Sequence, residues 1–139
     1  MFNLNANLYL PDKTGLNLFG AFPLENTIWN FVVRASSGYP YTPQPGGRAI
    51  SYIEKNSARM PMTYSVDAQI SKEWKFSSTK LTIFVEILNL TDHKNVLYVY
   101  SDTGEPDVTT SGGYSQDYIR DPSNFGPPRR IRLGARFGF

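Results

Sequence analysis

The final ten residues of the chain alternate strictly between two kinds of side chain. The odd positions are apolar: Ile131, Leu133, Ala135, Phe137 and Phe139. The even positions are arginine or glycine: Arg130, Arg132, Gly134, Arg136 and Gly138. Because successive side chains of a β-strand point to opposite faces, this pattern predicts a strand with one apolar and one cationic face. Such a strand is typical of a transmembrane β-barrel, where one face meets lipid and the other meets a water-filled lumen.

Four earlier segments show the same two-residue period. They cover residues 2–10, 29–38, 64–74 and 81–88, and β-branched and aromatic side chains dominate one face of each. Tilted segments of about 9–11 residues span the ~25 Å apolar band of an outer membrane, whereas strands of soluble proteins average about 5–6 residues. The sequence therefore predicts an all-β fold of five antiparallel, up-and-down strands.

The predicted connections alternate in length. Residues 75–80 are expected to form a tight turn, whereas residues 39–62 and 92–128 are long segments that contain proline and glycine pairs. Outer-membrane barrels place short turns in the periplasm and long loops outside, so Phe139 is expected at the periplasmic side. Residues 11–27 fit this scheme less well because they are long for a periplasmic turn. Whether residues 16–19 extend a strand stays open.

Composition excludes several other classes of function. The chain has no cysteine and a single histidine, His93, so neither a disulfide framework nor a thiolate metal site is available. A net charge of +2 is too small to indicate nucleic-acid binding. No apolar run approaches the ~18 residues of a helical membrane span. No residue pattern indicates catalysis, a cofactor or a metal ion, and we predict that the chain is not an enzyme.

The predicted orientation also sorts the aromatic and charged residues. Four aromatic side chains are expected on the outward face at the periplasmic level, as an aromatic girdle: Trp29, Trp74, Phe137 and Phe139. Five charged side chains are expected to face the lumen: Arg34, Asp67, Glu86, Arg132 and Arg136. Opposite charges on adjacent strands contribute about 0.2–1 kcal/mol per pair. We interpret these five residues as structural pairs, and contact with a plug in the lumen is a compatible second role.

Five strands are too few for a membrane protein. An open sheet in hydrocarbon would leave the backbone groups of its edges unpaired, at a cost of several kcal/mol each. Closed membrane barrels have at least about eight strands, so these five are expected to belong to a larger wall. Residues 1–4 also lack the features of a signal peptide. Both observations predict that the sequence is a fragment of a longer protein.

Three motifs resemble the TonB-dependent receptors of bacterial outer membranes. Residues 86–92 (Glu-Ile-Leu-Asn-Leu-Thr-Asp) are similar to the penultimate strand of that family, although Thr91 stands where an aromatic residue is usual. Residues 37–43 (Ser-Gly-Tyr-Pro-Tyr-Thr-Pro) resemble its loop-entry motif. Residues 121–130, followed by the terminal strand, are similar to the C-terminus of one subgroup. The resemblance covers most of the chain from about Trp29 onward.

The resemblance implies that residues 1–139 are the last five strands of a barrel of about 22 strands, here an open curved sheet without the N-terminal plug. It implies uptake of a large scarce solute (an iron chelate, a vitamin or a glycan) across the bacterial outer membrane. The expected partners are membrane lipid, the TonB complex and the plug. The apolar set from Ile131 to Phe139 also matches the signal that the barrel-assembly machinery reads, for which strand addition is the physical route.

Two alternatives stay open. The chain could be the end of another outer-membrane barrel, such as a porin or an adhesin. It could instead be a soluble β-sandwich that binds carbohydrate through loop tyrosines: Tyr98, Tyr100, Tyr114 and Tyr118. Acidic residues of the same long loop could hold Ca²⁺ through oxygen ligands, although their spacing is not diagnostic: Asp102, Glu105, Asp107 and Asp117.

Overall fold

The computed structural model describes residues 1–44, 52, 54–113 and 115–139, so Tyr114 lies outside the described residues. The strands are β1 (Phe2–Leu10), β2 (Thr27–Ser36), β3 (Pro40–Tyr41), β4 (Ala58–Arg59), β5 (Thr63–Phe76), β6 (Thr79–Leu88) and β7 (Arg130–Gly138). A short helix α1 (Gln116–Ile119) and a 3₁₀ turn (Pro122–Asn124) lie between β6 and β7 in the sequence. The chain forms two compact units, a sheet unit (Phe2–Arg34, Ser65–Asp92, Arg129–Phe139) and a loop unit (Ala35–Tyr64 and His93–Pro128, with Met1).

The five long strands form one open antiparallel sheet in the order β1-β2-β5-β6-β7. Each long strand is hydrogen-bonded to the long strand that precedes or follows it in the sequence, which is the up-and-down order. β6 pairs with β5 from Ala68↔Ile87 to Phe76↔Thr79, and residues 80–88 of β6 pair with β7. The predicted all-β fold of five antiparallel strands is confirmed, with each strand end within two residues of its predicted position.

The turn between β5 and β6 is shorter than the predicted range. Residues 75–80 were expected to form it, but Lys75↔Lys80 and Phe76↔Thr79 are paired rungs of the ladder. Ser77, in the two-residue turn that remains, adopts a positive φ of 52°. Two-residue hairpins use positive φ because it matches the right-handed twist of the flanking strands. The predicted range was wrong because this mostly polar segment resembles a loop, although its outer residues belong to the two strands.

Residues 11–26 connect β1 to β2 without lengthening either strand. Leu18 and Ala21 exchange both backbone hydrogen bonds, at 2.9 and 3.0 Å, so residues 18–21 form a tight hairpin of their own. Phe19 and Gly20 are its central residues, and both have positive φ (53° and 89°). Two successive residues of positive φ are the requirement of a type I′ turn. Residues 16–19 therefore do not extend a strand.

The described sheet unit lacks the core of a two-layer sandwich. A sandwich buries the inner faces of two packed sheets, yet Ala68 is the one described hydrophobic residue of the sheet unit that is buried. Trp29, Val66 and Val85 are half-buried, and the Leu133 side chain is 76% exposed. These four side chains therefore do not form a core beneath a second layer of the sheet unit.

The loop unit has a small core of its own. Met60, Val99 and Ile119 are buried there, and β3 pairs with β4 in a two-stranded ladder. Gly38 opens this segment with a φ of +80°, and a Cβ atom at that position would lie 2.1 Å from the carbonyl oxygen of Met60. Because other residues avoid positive φ and carry a Cβ, glycine is required here.

Candidate functional site

Asp67 is the best-connected charge on the polar face of the sheet. Its Oδ2 lies 2.5 Å from Nη1 of Arg34 on β2. Its Oδ1 accepts a hydrogen bond from the backbone N–H of Asn89, at 2.9 Å. The Asp67 side chain is 18% exposed, so both interactions are partly shielded from water. One carboxylate on β5 thus ties β2 to the turn that follows β6.

Glu86 on β6 forms a second ion pair, with Arg132 directly opposite on β7. Oε2 of Glu86 lies 3.2 Å from Nη1 of Arg132, and both side chains are more exposed than Asp67. Arg136 lies opposite Thr82 on the same face, and within the described ranges no ion pair includes it. The five predicted lumen charges therefore share one face of the sheet and four of them are paired, while their contact with a plug stays a prediction.

The opposite face carries apolar rungs. Trp74, Leu81 and Phe137 lie side by side in one rung across β5, β6 and β7. Lys72 lies on this face two residues before Trp74, with its ammonium nitrogen 5.8 Å from the centre of the indole ring. That nitrogen also donates to the backbone carbonyl of Glu25. A lysine placed in this way covers apolar surface with its stem and holds its charge at a polar edge.

The other two residues of the predicted girdle are less directly linked to this rung. The indole N–H of Trp29 donates to the hydroxyl of Thr27 within β2, at 3.0 Å. Phe139 follows the last residue of β7 and is fully exposed. The structure thus brings Trp74 and Phe137 to one rung, and a shared depth of all four aromatics stays a prediction.

The predicted assembly residues lie on an edge strand. Ile131, Leu133, Ala135 and Phe137 occupy one face of β7, and all four are exposed. β7 is hydrogen-bonded to β6 on one side and stands last in the sheet order. Its outer edge therefore presents backbone groups that another strand can pair with.

Phe84 is a packing residue that sequence analysis missed. It lies opposite Gly134 in the ladder, on the face that carries the charges. A Cβ atom at Gly134 would lie 2.3, 2.7 and 2.9 Å from three atoms of the Phe84 ring. The ring therefore covers the glycine backbone of the neighbouring strand, an arrangement that stabilises glycine in designed sheets. The available signal was one aromatic residue between Thr82 and Glu86 on the same face, but its partner could be named only with the register known.

Asn95 and His93 are further residues that sequence analysis missed. The side-chain amide of Asn95 accepts from the N–H of Tyr64 at 2.7 Å and donates to the carbonyl of the same residue at 2.8 Å. The His93 ring stacks on the Tyr64 ring with their centres 4.0 Å apart. The start of β5 is thus held by two side chains from the long segment after β6. Residue type alone gave no signal for these contacts.

Asp102 organises the segment around residues 109–111. Its Oδ2 accepts hydrogen bonds from the hydroxyls of Thr109 and Thr110, at 2.7 and 2.8 Å, and from the N–H of Thr110, at 2.6 Å. Partial burial raises the pKa of this carboxyl, but the hydrogen bonds from Thr109 and Thr110 outweigh it and lower the pKa to about 2. Asp102 is therefore an ionised structural acceptor.

A polar pocket of about 220 Å³ adjoins this carboxylate in the loop unit. Tyr98, Tyr100 and Tyr118 form its aromatic walls. The remaining lining residues are Gln44, Ser101, Asp102, Thr109 and Ser111. Three of the four predicted loop tyrosines thus meet in one place. In contrast, the acidic residues proposed for Ca²⁺ do not: the described ranges contain no group of three or more His, Cys, Asp or Glu side chains that could hold a metal ion.

Within the described ranges, no helix has the length and apolar character needed to cross a membrane. Comparison of the chain with protein-family models, with curated proteins and with solved structures yields no match.

Proposed function

We propose that the chain is the C-terminal wall segment of an outer-membrane β-barrel of the TonB-dependent receptor type, which takes up a large scarce solute. The observation that carries the proposal is the sheet unit with two unlike faces. Ile83, Val85 and Ile87 of β6 lie opposite apolar residues of β7, and the interleaved positions hold the ion pair of Glu86. A membrane barrel requires this separation because its two faces meet different solvents.

Exposure supports a lipid-facing role for the apolar rungs. Leu133 is 76% and Phe137 is 69% exposed, and both belong to one continuous apolar face with Val85 and Leu81. Soluble monomers rarely expose apolar patches of more than a few hundred Å², and larger patches mark contacts with membranes or proteins. The outer positions of β1 and β7 add a second argument, since a membrane sheet needs further strands at both edges.

The receptor family is supported by the resemblance of residues 37–43, 86–92 and 121–130. In the structure residues 89–92 form the turn that follows β6: Asn89 and Asp92 adopt positive φ values of 54° and 53°, and Oδ1 of Asp92 accepts from the N–H of Arg129 at 2.8 Å. A porin or adhesin end has the same kind of strands, so the upstream reading frame distinguishes the candidates. A plug domain and further barrel strands encoded ahead of Met1 support the receptor, and barrel strands without a plug domain reject it.

Membrane insertion is tested with two tryptophan variants in a Trp29→Phe, Trp74→Phe background. Leu133→Trp and Arg132→Trp place the probe at neighbouring positions on opposite faces of β7, so each is the matched control of the other. The full-length parent, whose barrel is complete and whose other tryptophans are likewise replaced by phenylalanine, carries these variants and is refolded into phosphatidylcholine vesicles with acyl-chain bromines. We expect strong bromine quenching for Leu133→Trp, and quenching by aqueous acrylamide for Arg132→Trp. Equal quenching of both probes, or a protein that stays monomeric in the aqueous phase, contradicts the proposal.

A further inference from the structure

We propose that the pocket between Tyr98, Tyr100 and Tyr118 binds one unit of a neutral, polyhydroxylated ligand, a saccharide. This pocket would give the solute of the proposed function a chemical class, and its physiological role rests on that function. All of its described lining residues belong to the loop unit.

Two exposed rings supply the apolar part of such a site. The side chains of Tyr98 and Tyr118 are 54% and 59% exposed, and Tyr98 meets Tyr100 edge to face with ring centres 5.8 Å apart. A tyrosine ring offers a flat apolar surface at low entropic cost, and its hydroxyl remains a hydrogen-bonding group. The C–H face of a sugar ring fits this combination.

The polar part of the lining is equally suited. Every described lining side chain has a hydrogen-bonding group, and the lining includes Gln44, Ser101 and Ser111. A purely apolar ligand would leave these groups without partners, at a cost in affinity. None of the described lining residues is Lys or Arg, and the carboxylate of Asp102 repels anions. The lining therefore favours a neutral ligand rich in hydroxyl groups.

The walls are fixed before a ligand arrives. The Tyr100 hydroxyl donates to the backbone carbonyls of Tyr118 and Ile119, at 3.3 and 3.2 Å. The N–H of Gln44 donates to the carbonyl of Ser101 at 2.8 Å. A preformed site loses less entropy on binding. At about 220 Å³ the pocket is smaller than the roughly 300–1,000 Å³ that encloses a whole drug-sized ligand, so it accepts one unit of a longer chain.

The test is calorimetric titration of the refolded 139-residue protein with maltohexaose, cellohexaose and xylohexaose. A hexamer of galacturonic acid and a ferric hydroxamate chelate are the comparison ligands. We expect binding of at least one neutral hexamer, and about tenfold weaker binding after Tyr98→Ala or Tyr118→Ala. Tyr39→Ala removes an exposed tyrosine outside the pocket lining and is expected to leave the affinity unchanged.

Tyr98→Phe and Tyr118→Phe keep the aromatic rings. They are measured alongside the alanine variants so that the test remains possible if those variants misfold. Saturation transfer from tyrosine ring protons to the sugar C–H protons provides a second measurement of ring contact. The proposal is overturned if no neutral hexamer binds, if binding is the same in the pocket variants, or if only the acidic hexamer or the chelate binds. Vesicle insertion without sugar binding rejects this inference alone, whereas sugar binding without insertion rejects the membrane function alone.

Discussion

The contact between Phe84 and Gly134 gives a prediction whose sign depends on the structure. Glycine inside a strand is normally less stable than alanine by about 0.5–1 kcal/mol, so Gly→Ala is expected to stabilise an unhindered position. At Gly134 the new methyl group would lie 2.3 Å from the Phe84 ring. Overpacking of this kind costs about 1–3 kcal/mol. We therefore expect Gly134→Ala to lower the free energy of unfolding by about 1–2 kcal/mol, as the difference of these two effects.

Gly138 provides the matched control on the same face of β7. A Cβ atom there would meet nothing closer than Cβ of Lys80, at 4.0 Å, which is an ordinary van der Waals contact. Gly138→Ala is therefore expected to leave the free energy of unfolding unchanged or slightly higher. The assay is urea unfolding in detergent micelles, followed by the fluorescence of Trp29 and Trp74 in the sheet.

A double-mutant cycle separates the clash from other effects. In Phe84→Ala the ring is absent, so Gly134→Ala is expected to be neutral or stabilising in that background. The coupling between the two sites is expected to be about 1–3 kcal/mol. If Gly134→Ala and Gly138→Ala have the same effect, or if Phe84→Ala does not relieve the loss, the contact does not stabilise the sheet.

Three further predictions concern charges and the terminal strand. Asp67→Ala is expected to lower the free energy of unfolding by about 1–3 kcal/mol, because a partly buried N–H and a guanidinium lose their acceptor, whereas Glu86→Ala removes one exposed pair and costs under about 1 kcal/mol; equal losses in urea unfolding contradict the ranking. The pKa of Asp102 is about 2 and lies below the 3.8 of the free side chain, so its stabilising effect is complete above pH 3.8 and is lost as the pH falls through 2. The protection of the Thr110 amide, relative to its intrinsic exchange rate at each pH, should fall in that window and be already low at pH 5 in Asp102→Asn; protection that is independent of both pH and the substitution refutes this role. Deletion of Phe139 in a full-length parent is expected to lower the amount of assembled protein in the outer membrane, measured by fractionation, and undiminished assembly counts against a terminal signal.

The strands were predictable from the sequence because alternation is a local signal. One face of each strand is enriched in apolar residues, so the presence and the two faces of β5, β6 and β7 follow from a period of two. The ion pairs were predictable as well. Arg34, Asp67, Glu86 and Arg132 lie at the polar positions of neighbouring strands, where opposite charges can meet. The ends of the strands were harder to predict. The turn at Ser77 is shorter than its predicted range because hydrophilic strand ends resemble a loop.

The contacts of the loops could not be predicted for a different reason. Tyr98 and Tyr118 are twenty residues apart, and their segments are joined by the Tyr100 hydroxyl, which donates to the backbone carbonyls of Tyr118 and Ile119. Nothing in the sequence pattern indicates that pairing. Asp102 was interpreted as a possible Ca²⁺ ligand because the residue type permits it. In the structure its oxygen is occupied by threonine donors, which is a common local use of a loop aspartate.

The amide of Asn95 has a consequence for protein engineering. By bonding both backbone groups of Tyr64, it imitates a partner strand with a single side chain. Both backbone groups of Tyr64 on this side of β5 are therefore held by one amino acid. A display peptide inserted in the loop after Asn95 is therefore expected to leave Tyr64 in place, whereas replacement of Asn95 itself is expected to release it.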